Sequence, residues 1–98
     1  MQDHADSCEI VAVYTDAQGT HARFWARATN AEGVYNAGES PEFPCSQPIR
    51  QDRAAGEALR ALIQTLVQDG WDPLDEHGPQ WFSYRFHRPS SYPASDGP

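Results

Sequence analysis

The sequence predicts an α+β domain, an antiparallel β-sheet in β-β-β-α-β order with one amphipathic helix packed on one face. Three observations carry this reading. Ala55, Leu59, Leu62 and Leu66 recur at steps of four, three and four, the period of a helix with one apolar stripe. Residues 21–29 and 80–88 instead alternate, which is the period of a strand with two unlike faces. Short Gly-bearing segments, Asp16–Gly19 and Asn30–Gly33, separate the first apolar runs as hairpin loops do.

The first strand is expected over Cys8–Thr15, where Ile10, Val11, Val13 and Tyr14 are followed at once by turn residues. The second runs over His21–Thr29. A weaker third covers Val34–Glu39 and is ended by Pro41 and Pro44, which cannot donate to a ladder. The helix is expected from about Arg50 to Gln68. Asp52 lies in its first turn, where a carboxylate suits the helix dipole, and Gly70 is placed to end it. Trp71-Asp72-Pro73 then turns the chain, an acidic loop follows, and the last strand spans Gln80–Arg88. Residues 1–7 and 89–98 are expected to be tails around a single 8–88 domain, the second being rich in Pro, Ser and Gly.

Alternation assigns the faces. In the second strand Ala22, Phe24, Ala26 and Ala28 share one side, and His21, Arg23, Trp25 and Arg27 the other. Arginine is rarely buried without a partner, so the alanine side meets the helix. The same logic turns Phe82, Tyr84 and Phe86 toward the helix. The uncovered face then collects Arg23, Trp25, Arg27, Trp81, Arg85 and His87. A plain loop at Asp16–Gly19 sets Ile10 opposite Trp25 and Tyr14 opposite His21; a bulge at Gly19 shifts that register but leaves the second strand's facing alone.

Composition narrows the function classes. The 98 residues carry a net charge of −7, which works against binding phosphates through basic side chains. All seven basic residues are arginine. No apolar run reaches the roughly 18–20 residues of a membrane span, and Met1–Ser7 is acidic and polar rather than signal-like. A soluble, cytoplasmic protein is expected, with Cys8 and Cys45 as thiols. No glycine-rich phosphate loop and no nucleophile elbow occur. Cys8 and His21 lack a third group to orient the imidazole. The Asp69–His77 cluster does not match a calcium loop, and His4, His21, His77 and His87 show no zinc spacing. Neither a catalytic residue, a metal site nor a cofactor is expected.

Four segments together resemble a known group: Cys8-Glu9-Ile10, Gly38-Glu39-Ser40-Pro41-Glu42-Phe43, Gly70-Trp71-Asp72-Pro73, and Trp81-Phe82-Ser83-Tyr84-Arg85-Phe86-His87-Arg88. They look like small, uncharacterised bacterial proteins with a Cys-Glu-Ile start, a Gly-Trp-(Asp/Glu)-Pro turn and an aromatic-Arg-Phe last strand. The resemblance spans about residues 8–88 and implies no activity, ligand or catalytic residue. The element order is also similar to antitoxin-type β-β-β-α-β domains, a likeness of topology that does not imply function.

The expected function is a non-catalytic interaction module that contacts a protein partner or a second copy through the Trp/Arg face or a strand edge. Single-stranded nucleic acid on that face is the rival reading, because aromatic rings stack bases and arginines meet the backbone. A thiol or metal-dependent enzyme would need a reactive Cys8 or Asp69–His77 loop. The plainest reading has the C-terminal tail half covering the tryptophans and the arginines pairing with acids such as Glu9.

Overall fold

A computed structural model describes residues 5–89. In chain order it contains β1 (Asp6–Tyr14), β2 (His21–Asn30), β3 (Gly33–Glu39), β4 (Phe43–Pro44), α1 (Arg53–Gln68), β5 (Asp72–His77) and β6 (Tyr84–Arg88). The strands form one antiparallel sheet in the order β3-β2-β1-β6-β5, with β4 paired to the start of β2. The helix packs on one face, against β2, β3 and β4. The α+β class and the β-β-β-α-β frame are therefore present, with β4 and β5 added to it. β1 begins at Asp6, inside the expected N-terminal tail. Residues 1–4 and 90–98, the rest of the expected tails, lie outside the described residues. Among the described residues no helix is long and apolar enough to cross a membrane.

The β1–β2 hairpin explains one departure. Its last pair is closed by the Thr15 amide donating to the His21 carbonyl at 2.9 Å, so the loop is Asp16–Thr20. Gly19 takes φ +72°, a value that favours glycine, and the Asp16 carboxylate accepts from the Thr20 and His21 amides at 2.9 and 3.1 Å. This longer loop moves the register by one position from the plain-loop expectation. Ile10 pairs with Ala26 and Tyr14 with Ala22, while Val11 sits opposite Trp25. Ile10 is accordingly a fully buried core residue rather than a neighbour of Trp25.

The helix starts at Arg53 rather than near Arg50 because Asp52 is its N-cap. The Asp52 backbone is extended, and its carboxylate accepts from the Ala55 amide at 3.0 Å. At the other end Gly70 has φ +94°. The Gly70 amide reaches the Val67 carbonyl at 3.1 Å and the Trp71 amide reaches Leu66 at 3.0 Å, a Schellman ending. The chain turns there as expected, and the ending carries the Trp71 side chain into the core, where it is buried.

The core lies between α1 and the covered sheet face. Ala55, Ala58, Leu59, Leu62 and Leu66 meet Cys8, Ile10, Phe24, Phe86 and the alanines at 22, 26 and 28. The small alanines let the helix come close; the Phe24 ring then packs against Phe43, Phe82 and Trp81 at centroid distances of 4.8, 5.0 and 5.9 Å.

The last third of the chain departs most from expectation. Asp72–His77 is an edge strand, not a loop, and all of it is exposed. A turn follows, with the Gly78 amide bonded to the Ser83 carbonyl at 2.8 Å, so β6 starts at Tyr84 instead of Gln80. Alternation cannot be carried through a turn. Trp81 therefore lies on the covered side, its Nε1 donating to the Ile49 carbonyl at 3.0 Å. Tyr84, expected under the helix, is 38% exposed and meets the His77 ring edge-on at 4.9 Å beside the hairpin turn.

Candidate interaction face

The sheet face away from α1 is assembled by register. Cross-strand partners share a face, so the pairs Val13–Arg23, Val11–Trp25 and Glu9–Arg27 set these side chains together. β3 adds Val34, Asn36 and Glu39 through its pairs with Thr29, Arg27 and Trp25. β6 adds Arg85 opposite Glu9 and His87 opposite Ser7. Five of the six predicted face residues are thus brought together: Arg23, Trp25, Arg27, Arg85 and His87. Trp81 is not, since it packs on the helix-side core.

The centre of the face is apolar. Trp25 and Val11 are half-buried side by side, whereas Val13 and Val34 are 48% and 57% exposed. A shallow groove runs past Trp25 between Val13 and Val34, with Arg23, Asn36 and Glu39 along it. Glu39 is tied to Asn36, whose amide nitrogen donates to it at 2.9 Å. A second depression lies between Arg27 and Arg85 and is floored in part by Ser7 and Leu74.

The three arginines of the face are not equivalent. Arg85 donates to Glu9 at 3.2 Å and to Glu76 at 3.3 Å, and so is held by two carboxylates. The pairing with Glu9 matches the expectation that acids would occupy arginines here. Arg23 and Arg27 form no ion pair among the described residues. Sequence reasoning missed Val11, Val13, Val34 and Glu39. For β1 the only signal was the hairpin register, because both of its alternating rows are apolar.

The other candidate chemistries separate in space. Cys8 pairs with Ala28 near one end of β2 while His21 begins the other end, so no thiol–imidazole pair forms. Burial is the largest influence on the Cys8 thiol, pushing its pKa up to about 12 against a smaller opposing pull from Arg88. On the hairpin loop the Thr20 hydroxyl donates to Asp16 and lies 3.0 Å from His21 Nδ1. The hydroxyl is therefore engaged by the carboxylate itself, which makes the group a loop clasp rather than a nucleophile with an oriented base. Its hydrogen bonds, that from Thr20 foremost, hold the Asp16 carboxyl below its ordinary pKa. Asp6, Tyr35, Arg88 and Trp71 form a second cluster, on the helix side. Tyr35 donates to Asp6, and the Arg88 guanidinium lies 4.4 Å from the centre of the Trp71 ring and 3.7 Å from Asp6. Among the described residues no three His, Cys, Asp or Glu side chains converge on a point where a metal ion would sit.

The Cys8 environment has a measurable consequence. Its folded pKa lies above the unfolded value, so the protonated thiol favours the folded state. That contribution is complete below about pH 8.5 and is lost as the pH rises toward 12. Between pH 8 and 10 the thermal midpoint of the wild-type chain is expected to fall further than that of Cys8→Ala. At pH 8 a thiol reagent is expected to consume Cys45 before Cys8. Labelling of Cys8 at the Cys45 rate in the folded protein would contradict the burial argument.

Comparison with known proteins finds no matching family model, no similar curated protein and no similar solved structure.

Proposed function

We propose that this chain is a non-catalytic protein-interaction module that works through the helix-free face of its sheet. The observation that carries the reading is the apolar centre of Trp25, Val11 and Val13, with Val34 across a shallow groove, left uncovered by α1 and bordered by Arg23 and Arg27, which form no ion pair among the described residues. An aromatic anchor beside aliphatic side chains within a charged rim is the composition of a binding surface. The buried Cys8 thiol and the clasped Thr20 hydroxyl support a role without a covalent step. Cys8 and Cys45 are free thiols, as a reducing compartment keeps them, and we place the protein in the cytoplasm.

Nucleic acid fits the same face less well. Arg85 is already neutralised, Glu9, Glu39 and Glu76 would meet the phosphates, and Trp81 is not available as a second stacking platform.

The double substitution Trp25→Ser with Val13→Ser tests the reading. It removes the apolar centre from the helix-free face while leaving the core under α1 intact, so the chain should still fold, with a modest fall in thermal midpoint from the half-buried Trp25. Association, with a partner or a second copy, is expected to weaken by about 30-fold, the loss typical of a hot spot. Unchanged sedimentation together with unchanged partner recovery would rule this face out.

A further inference from the structure

We infer that the segment recognised at this face is an extended peptide strand with an acid–x–apolar–x–acid pattern, whose two carboxylates meet Arg23 and Arg27 and whose central side chain packs on Trp25. The inference rests on the interaction-face reading and names its occupant. Arg23, Trp25 and Arg27 stand at alternate positions of one strand, so all three point the same way. At about 3.3 Å per residue the arginines are roughly 13 Å apart along β2. An extended segment laid along β2 presents its own alternate side chains at the same spacing.

The charges say what those side chains are. Arg85 is held by Glu9 and Glu76, and Glu9 is thereby drawn away from its cross-strand neighbour Arg27. In a chain with fourteen acidic residues and seven arginines, both guanidiniums beside Trp25 remain without an ion pair among the described residues. An apolar occupant alone would leave them facing a desolvated surface, which is costly for a charge. Carboxylates satisfy them.

A second copy does not. In a two-fold pairing centred on Trp25, parallel strands set Arg23 against the other Arg23, and antiparallel strands set Arg23 against Arg27. Either arrangement opposes like charges. The net charge of −7 does not exclude a short acidic segment, because pairing occurs at contact distance, well inside the roughly 8 Å over which physiological salt screens the rest of the molecule.

The test uses the full chain and three dye-labelled, end-capped peptides, read by fluorescence anisotropy. Their cores are Glu-Thr-Phe-Thr-Glu, Lys-Thr-Phe-Thr-Lys and Glu-Thr-Ser-Thr-Glu. The first is expected to bind at least about tenfold more tightly than either of the others. Combining Arg23→Glu with Arg27→Glu should invert the preference toward the lysine peptide. Arg23→Gln with Arg27→Gln, the milder variant, should abolish the preference for glutamate over lysine. Equal binding of the acidic and basic peptides, no binding of any, or displacement of the acidic peptide by a thymidine 12-mer would overturn the inference. A dimer in sedimentation that is lost on Trp25→Ser with Val13→Ser would also overturn it, while leaving the interaction-face reading in place.

Discussion

Replacing Phe24 by alanine is expected to cost about 3–5 kcal/mol of folding stability, the usual range for deleting a buried aromatic ring. The ring is fully buried and touches three others: Phe43 from β4, Phe82 from the β5–β6 turn, and Trp81 edge-on. Phe24 therefore joins three segments far apart in sequence. The alanines beside it have no side chain long enough to fill the space, and the helix cannot move closer without opposing them. Small domains have only about 5–15 kcal/mol in total. At about 4–8 °C per kcal/mol for a domain of this size, the variant should melt at least about 12 °C below the wild type, if it folds. A fall of less than about 5 °C would mean that the aromatic cluster is not the centre of the core.

Trp71→Ala is the second large effect, again about 3–5 kcal/mol. The indole is buried directly after the helix ending, and the Arg88 guanidinium stacks over it. Arg88 also donates to the last-turn carbonyl of Asp69 at 3.3 Å, so the pair ties the helix end to β6. Truncation leaves a cavity and frees the arginine. With a urea dependence of about 1–2 kcal/mol per molar, the midpoint should fall by about 1.5–5 M. Trp71→Phe keeps a ring under Arg88 and should recover more than half of the loss. Equal losses for the two substitutions would locate the effect in the helix ending rather than in ring burial.

How much of this was legible in the sequence depended on whether neighbouring positions differ in chemistry. In β2 arginines and a tryptophan alternate with alanines and a phenylalanine, so one face had to be inside, and it is. The helix was equally plain, because Leu59, Leu62 and Leu66 lie on one stripe. β1 was ambiguous: Cys8, Ile10 and Ala12 alternate with Glu9, Val11 and Val13, and two apolar rows do not reveal which one is buried. The hairpin loop decided it, through Gly19 and the Asp16 clasp. β5 could not be found by propensity, since Asp72, Pro73, Asp75 and Glu76 are poor strand residues. It forms because β6 supplies a partner, with Glu76 meeting Arg85 across the pair. Its proline and charges are the features that protect a sheet edge. Trp81 was misplaced, and the burial of Trp71 was not foreseen, because each stands at a chain reversal, where periodicity ends and tertiary contacts choose the direction of the side chain.

The candidate face was half legible. The β2 contribution and Arg85 followed from alternation alone, but its apolar centre needed the register and the third strand. That centre is what distinguishes a binding surface from a solvated row of arginines.

The most direct test of the central claim is a site-specific photo-crosslinking map made in cells that produce the protein. A photoreactive side chain is placed in turn at Val13 and Val34 on the open face, and at Glu57 and Gln64 on the exposed side of α1. Adducts from Val13 and Val34 alone are the predicted result. Adducts from the helix positions alone, or equally from both surfaces, would contradict it.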